Sequence, residues 1–274
     1  QTCYVDDILY AVPLYTDIGA LYYRKDMILA LPDGEAIVDR INLSITWEEM
    51  LELRESYFPG KPTFIPQAVA YEGLICNFNE IIGQTLEDEV SGKLINLTDS
   101  LVIERTHFMR EMIVTNFAPI EALSMTEDDC IRFALAHDIP FVRGWPTMNN
   151  ENYQRFDPVL FEKLEIAPLP HFEGGESTPV FGGWNMMLSK HSPVKRAAIE
   201  FMKFACSMEG QQIFYESEGL LPIQREFYSR PESGPRQQRL QLIQKMMQKG
   251  LHRPTLDQYT LISDILSTKL HQIL

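Results

Sequence analysis

The alternation of short apolar runs with longer amphipathic segments is the feature that most limits what this 274-residue chain can fold into. Runs such as ILYAVPL (8–14) and IPFVRGWP (139–146) have the length and composition of strands. Between them lie helix-start signals. In TWEEMLEL, Thr46 is the expected cap and Glu49 its capping-box partner. The alternation predicts an α/β domain with a mixed sheet.

Cap and turn chemistry predicts further helix boundaries. A second capping box, Thr126 with Asp129, is expected to open TEDDCIRFALAH. Ser192 is expected to cap the helix in HSPVKRAAIEFMKFACS, because Pro193 is tolerated at the first helical position. Gly83 is expected to end the helix in YEGLICNFNEIIGQ.

The acidic balance of the chain argues against nucleic acids and anionic membranes as partners. Its formal net charge is −14, whereas nucleic acids and anionic membranes are bound by clustered Lys and Arg. Four widely spaced cysteines without a CxxC motif argue against a zinc site. Cys76, Cys130 and Cys206 have apolar neighbours, which predicts buried free thiols, with disulfides left open. No metal site and no cofactor are predicted.

Aromatic rings stand beside polar groups at four places next to predicted strand ends. Open α/β sheets present their binding loops there. Ring faces can cover the C–H surface of a sugar, while carboxylate and amide groups bond its hydroxyls. The four places are Tyr15 to Asp17, Gln67 to Glu72 with Tyr71, Arg143 to Pro146 with Trp145, and Gly182 to Asn185 with Gly183 and Trp184.

Packing is an alternative at each of these places. Trp145 could close the edge of a domain, and Trp184 could be a core residue behind a glycine bulge. Glu72 could simply favour the dipole of a helix start. Tyr22 and Tyr23 are predicted to pack within a strand rather than to recognise a ligand.

Motifs of known catalytic chemistry are missing from the sequence. It contains no GxSxG, HExxH or Walker-type loop, so the chain is not expected to be an enzyme. The enzymatic alternative is a glycoside-processing enzyme with Asp17 and Glu72 as its carboxylate pair. That reading needs the two side chains within roughly 10 Å of each other across a cleft.

The order of motifs resembles one family. AVPLYTDIGALYYRKDMI, TWEEM, FVRGWP, VFGGWNMMLSKHSPVKRAAIEFMKFACSMEGQQIFYESEGLLP and RPTLDQY follow one another as in bacterial extracellular solute-binding proteins of family 1. That group delivers sugars to ABC importers and includes maltose- and trehalose-binding proteins. The resemblance implies a periplasmic-binding-protein-like (type II) fold, with two α/β lobes joined by hinge strands around the sugar.

The resemblance also implies a biological setting. It implies no catalysis, no cofactor, a mono- or oligosaccharide ligand, and the membrane permease subunits of an ABC importer as partners. It places the protein in the periplasm or outside the cell, with a lipid anchor on the full-length protein left open. A polyamine ligand or a sensor role on the same fold stays open as well.

The resemblance assigns roles to the candidate residues. Asp17 matches an acidic position that binds sugar hydroxyls, and Tyr15 lies beside it. Trp145 matches a tryptophan that stacks on a sugar ring. Gly182, Gly183 and Trp184 match a wall of the cleft.

One departure from the family pattern follows the LLP segment. Many members have Thr-Arg there, with the arginine reaching the cleft, whereas this chain has Ile223 and Gln224, with Arg225 one step later. Either Gln224 replaces the charged contact with an amide, or Arg225 reaches the cleft from a different angle. Both are therefore candidate ligand-binding residues, and the identity of the sugar stays open.

The resemblance further implies that most of the first lobe is absent from this sequence. We therefore expect weak or no sugar binding by the chain alone. We also expect apolar surface around Ile262, Ile265 and Leu266 to be exposed or covered by a neighbouring chain. The expected parts are residues 1–18 as hinge crossing and first-lobe remnant, 19–218 as mainly the second lobe, and 219–274 as a C-terminal helical segment packing towards the first lobe and hinge.

Overall fold

A computed structural model describes residues 3–5, 7–83, 96–148, 159, 162–229, 234–254 and 256–274. These residues form the α/β fold with a mixed sheet that the sequence predicts. The strands are β1 Tyr4–Val5, β2 Ile8–Leu9, β3 Val12–Ile18, β4 Ala20–Arg24, β5 Phe64–Ile65, β6 Phe141–Gly144, β7 Leu164–Ala167 and β8 Phe181–Met186.

Helices cover the sheet and form the C-terminal part of the chain. None of the described helices is both long enough and apolar enough to cross a membrane. They are α1 Lys25–Leu29, α2 Gly34–Leu43, α3 Trp47–Tyr57, α4 Glu72–Ile82, α5 Ser100–Val114, α6 Glu127–Ala136, α7 Lys195–Ala205, α8 Met208–Glu218, α9 Pro235–Met247 and α10 Tyr259–Ile273.

The main sheet has four strands in the order β5-β6-β4-β7. Strand β5 runs parallel to β6, while β4 is antiparallel to both of its neighbours. Every residue of β4 is buried, including Tyr22 and Tyr23, so the prediction that these two tyrosines pack within a strand is confirmed. Trp47 packs its ring edge-on to Phe64 of β5 at 5.2 Å between centroids, which fastens α3 to the sheet.

Strands β3 and β8 form a separate antiparallel ribbon, which we call the β3–β8 ribbon. Strand β3 continues through Gly19 into β4 of the main sheet. A Cβ atom on Gly19 would lie 2.0 Å from a carboxylate oxygen of Glu80. Gly183 has a φ of +112°, and a Cβ there would lie 2.4 Å from the carbonyl oxygen of Tyr15. Glycine at these two positions lets the ribbon approach its neighbours this closely.

Most of the predicted helix boundaries hold, and one is wrong. Thr46 accepts a hydrogen bond from the Glu49 N–H at 3.1 Å, and Glu49 accepts one from the Thr46 N–H at 2.9 Å, so this capping box is confirmed. The helix predicted to start after Ser192 begins instead at Lys195. The Ser192 hydroxyl accepts the N–H of Val194 in a local turn, which delays the helix start.

The thiols of all four cysteines are free. Cys76 and Cys130 are buried as predicted, whereas Cys206 is only half-buried.

An apolar stripe runs along α7 into α8. Val194, Phe201, Phe204 and Met208 follow one another at helical spacing and are all exposed. At the end of the chain, Ile265 is exposed, as expected, while Ile262 and Leu266 are half-buried and line a small apolar groove against α4. The stripe is thus an apolar surface that the described residues leave uncovered.

We predict that Thr46→Ala lowers the free energy of unfolding by about 1 kcal/mol, because it leaves the N–H of Glu49 without its cap. Urea unfolding followed by circular dichroism measures the loss. Thr106→Ala is the matched control, since its hydroxyl only bonds back to the Val102 carbonyl inside α5. Equal losses for the two variants would contradict this account of the cap.

Candidate functional site

A groove of about 760 Å³ opens along the β3–β8 ribbon. Its walls mix rings with hydrogen-bonding groups, as in sites that take polar ligands. The ribbon supplies Pro13, Tyr15, Thr16, Phe181, Gly182, Gly183 and Asn185, strand β1 supplies Tyr4, and helix α4 supplies Glu72. The rest of the lining comes from the C-terminal part of the chain: His252, Arg253, Pro254, Leu256, Tyr259, Thr260, Ser263 and Asp264.

Glu72 stands at the first position of α4 and is held by three donors from the C-terminal part of the chain. Arg253 Nη1 and the Tyr259 hydroxyl each lie 2.5 Å from its Oε1, and the Ser263 hydroxyl donates to its Oε2. The second Nη of Arg253 donates to the carbonyl of Phe181 at 3.4 Å. This cluster joins α4, α10 and β8 at the groove wall.

Asp17 is buried at the end of β3, with only 3% of its surface exposed. Its carboxylate accepts a hydrogen bond from the Thr147 hydroxyl and one from the Ile18 N–H at 3.0 Å. Burial raises the pKa of Asp17 to about 7, against the opposing effect of these donors and of the Arg143 guanidinium. The turn that follows β6 therefore closes over the carboxylate that the resemblance matched to a sugar-binding position.

Tyr15 and Trp184 are paired directly across the ribbon. Trp184 is the most exposed tryptophan among the described residues, at 69%. Tyr15 is half-buried, and burial together with the Asp17 carboxylate raises its pKa to about 12. Since residues two apart share a face of a strand, Tyr15 and Asp17 lie on the same face of β3. Tyr15 lines the groove, whereas Trp184 is not among its lining residues.

Trp145 lies directly behind the glycine wall of the groove. The Arg143 guanidinium covers one face of its ring at 3.9 Å from the centroid, and its indole N–H donates to Glu127 at 3.3 Å. A Cβ on Gly182 would lie 2.7 Å from the ring, so glycine is what allows the ring so close. Trp145 thus adjoins the groove through Gly182.

Tyr71, Gln224 and Arg225 do not line the groove as described. The Tyr71 ring fills the space that a side chain on Gly73 would take, and burial with the Glu127 carboxylate raises the pKa of its phenol. Gln224 donates its amide to the Cys206 carbonyl at 2.5 Å, which holds the end of α7. Arg225 is exposed at the start of a short 3-10 helix.

Of the candidates chosen from the sequence, the groove therefore brings together Tyr15, Glu72, Gly182 and Gly183. Sequence reasoning missed the C-terminal wall, above all Arg253, Tyr259 and Ser263. Asn185, the last residue of the predicted stretch from Gly182, also lines the groove. The late RPTLDQY motif, residues 253–259, was the available signal for that wall. Among the described residues, no group of His, Cys, Asp and Glu side chains could hold a metal ion.

A buried ion pair lies beneath the site. Arg143 Nη2 is 2.6 Å from Glu80 Oε1, and Arg143 Nε is 3.1 Å from Glu80 Oε2. Gln67 lies 3.4 Å from the guanidinium, and the N–H of Val180 donates to the Glu80 carboxylate at 3.3 Å. The pair thereby connects α4 and β6 with the entry to β8.

The chain has the type II periplasmic-binding-protein fold. Residues 2–212 match the family of bacterial extracellular solute-binding proteins, and the chain belongs to that family. A curated relative, a probable ABC transporter-binding protein of Deinococcus radiodurans, is 26% identical over 215 residues, which are 74% of this chain and 49% of that protein. The chain thus spans about half the length of this curated relative.

Solved structures give the same fold. Maltose-bound MalE3 of T. maritima superposes with a TM-score of 0.82 at 26% identity, covering 98% of this chain and 68% of that one. A solute-binding protein of an ABC transporter from Thermotoga lettingae, bound with α-D-tagatose, has a TM-score of 0.80 at 19% identity, covering 100% of this chain and 69% of the other.

We predict that Asp17 makes the protein less stable as the pH rises from about 4 to about 7. The folded-state pKa of about 7 exceeds the ordinary value of 3.8, so folding favours the protonated form. This contribution to stability is full below the ordinary pKa and is lost as the pH rises through the folded pKa, by up to about 1.4 kcal/mol per pH unit.

Urea unfolding of the wild type and Asp17→Asn at several pH values measures this contribution. The difference in unfolding free energy between the two should change across the window and level off above it. Asp39→Asn, on the exposed side of α2, is the control. Parallel profiles for wild type and Asp17→Asn would contradict the burial of a protonated carboxyl.

Proposed function

We propose that the full-length protein is the substrate-binding component of an ABC importer and captures a mono- or oligosaccharide. The observation that carries this proposal is the groove beside the β3–β8 ribbon, within a chain of the solute-binding family. The ribbon leads directly into the main sheet, as a hinge strand between two lobes must. The maltose and tagatose bound by the two similar solved proteins support a sugar as the ligand.

The chemistry of the groove suits a sugar. The rings of Tyr15 and of Phe181, which stacks on His252 at 4.5 Å, can cover C–H surface. Asn185 and Thr16 can exchange hydrogen bonds with hydroxyls, and Asp264 can accept them. In this proposal Glu72 and Arg253 form a polar wall that orients the sugar.

The groove favours a neutral ligand over a polyamine. A polyamine needs several carboxylates free to face it, whereas Glu72 is already engaged by Arg253 and two hydroxyls. The same engagement, together with the burial of Asp17, argues against a carboxylate pair that acts on glycosides. The protein therefore acts by binding and closure rather than by catalysis.

A first lobe, encoded outside this sequence, completes the proposed cleft. The exposed stripe of Val194, Phe201, Phe204 and Met208 supports this first lobe, because contiguous exposed apolar surface marks a site where another part of the protein packs. In this division residues 1–18 enter from the first lobe, 19–218 form mainly the second lobe, and 219–274 pack towards the first lobe and hinge. Closure of the lobes in the periplasm or outside the cell then presents the sugar to the permease subunits.

Isothermal calorimetry on the full-length protein, against a panel of mono-, di- and oligosaccharides and spermidine, tests this function. One sugar should bind, and Tyr15→Ala should weaken its binding about tenfold, or about 1.4 kcal/mol, through loss of ring contact. Tyr10→Ala is the matched control, since Tyr10 is exposed outside the groove. Heat with spermidine and none with any sugar would contradict the proposal.

The same instrument tests the need for a first lobe. We predict that residues 1–274 alone bind the sugar at least tenfold more weakly than the full-length protein, because half of the contacts and the exclusion of water by closure are lost. Equal affinities would show that the groove is sufficient by itself.

A further inference from the structure

We propose that Arg143, anchored by Glu80, is a positioning residue that fixes the Trp145 ring behind Gly182 and so sets the shape of the groove wall. The effect of this positioning on sugar binding rests on the proposed function, whereas the arrangement of Arg143, Glu80 and Trp145 is independent of it.

The contact between Arg143 and Trp145 leaves the ring little freedom. The guanidinium covers one ring face at 3.9 Å, and the backbone of Gly182 lies against the six-membered part of the indole. The indole N–H donates to Glu127 at 3.3 Å, which fixes the rotation of the ring in its plane. A ring held by a cation, a backbone and a hydrogen bond presents one orientation to the groove.

The guanidinium is itself held. The Arg143 side chain is 1% exposed, and the two carboxylate oxygens of Glu80 lie 2.6 and 3.1 Å from its guanidinium nitrogens. A planar fork that meets a carboxylate through two bonds fixes the plane of the cation as well as its place. Lysine could keep the charge but not this plane, so it should release the ring.

Glu80 links this arrangement to the strand that carries the wall. Its carboxylate accepts the N–H of Val180, one residue before β8, and it occupies the space beside Gly19 between β3 and β4. The same side chain therefore sets both the guanidinium behind Trp145 and the start of the strand that bears Gly182. The Glu80 carboxylate therefore positions the Trp145 ring and the Gly182 backbone relative to each other.

A double-mutant cycle on sugar affinity tests the proposal in the full-length protein. Arg143→Lys should weaken binding about tenfold in the wild type and less than twofold in a Trp145→Ala background, because the arginine acts through the ring. Glu80→Gln, which keeps the size of the side chain, should repeat this pattern and serves if Arg143→Lys fails to fold. Equal losses in both backgrounds would overturn the proposal.

A measurement without sugar separates this inference from the proposed function. In protein labelled with 5-fluorotryptophan, the fluorine signal of Trp145, assigned with Trp145→Phe, should shift and broaden in Arg143→Lys. Arg40→Lys, at the partly exposed ion pair of Arg40 with Glu49, is the control and should leave the Trp145 signal unchanged. An unchanged Trp145 signal would overturn the positioning role even if sugar binds. A shifted signal with no binding of any sugar would support the positioning role while refuting the proposed function.

Discussion

The ion pair of Arg143 and Glu80 is the interaction on which the arrangement of the site depends. Two opposite charges at 1% and 6% exposure are tolerable only when each is fully engaged, and breaking such a pair costs about 3–5 kcal/mol. The ion pair joins Glu80 of α4 to Arg143 of β6, and Glu80 also contacts Val180, just before β8, and Gly19, between β3 and β4. Most of the candidate residues lie on or next to these elements. Gly19 follows from the ion pair, because any larger residue would strike the carboxylate.

The C-terminal part of the chain completes the site through a second carboxylate. Glu72 accepts hydrogen bonds from Arg253, Tyr259 and Ser263. These bonds join α4, on one side of the groove, to α10, on the other. The Glu80 carboxylate thus positions the residues beneath the groove, and the Glu72 carboxylate positions those of its wall. The exposed apolar stripe on α7 and α8 is a surface that the proposed first lobe could cover.

Local chemistry could be predicted from the sequence, and distant contacts could not. The capping box of Thr46 depends on residues three apart, and the burial of Ala20–Tyr23 in β4 follows from their continuous apolar run. Arg253 and Ser263 reach Glu72 across 181 and 191 residues, a pairing that no local pattern encodes. Asp17 was identified as a site candidate, but its burial depends on Thr147, which lies 130 residues further on. Residue type and spacing therefore selected candidate residues, while long-range packing decided which of them line the groove.

The measurement that tests the central claim most directly is a crystal structure of the full-length protein with the sugar that binds in calorimetry. The account predicts the sugar in the groove, against Tyr15 and Asn185, with the Arg143–Glu80 pair intact beneath it. A sugar bound elsewhere, with the groove holding only solvent, would contradict the account.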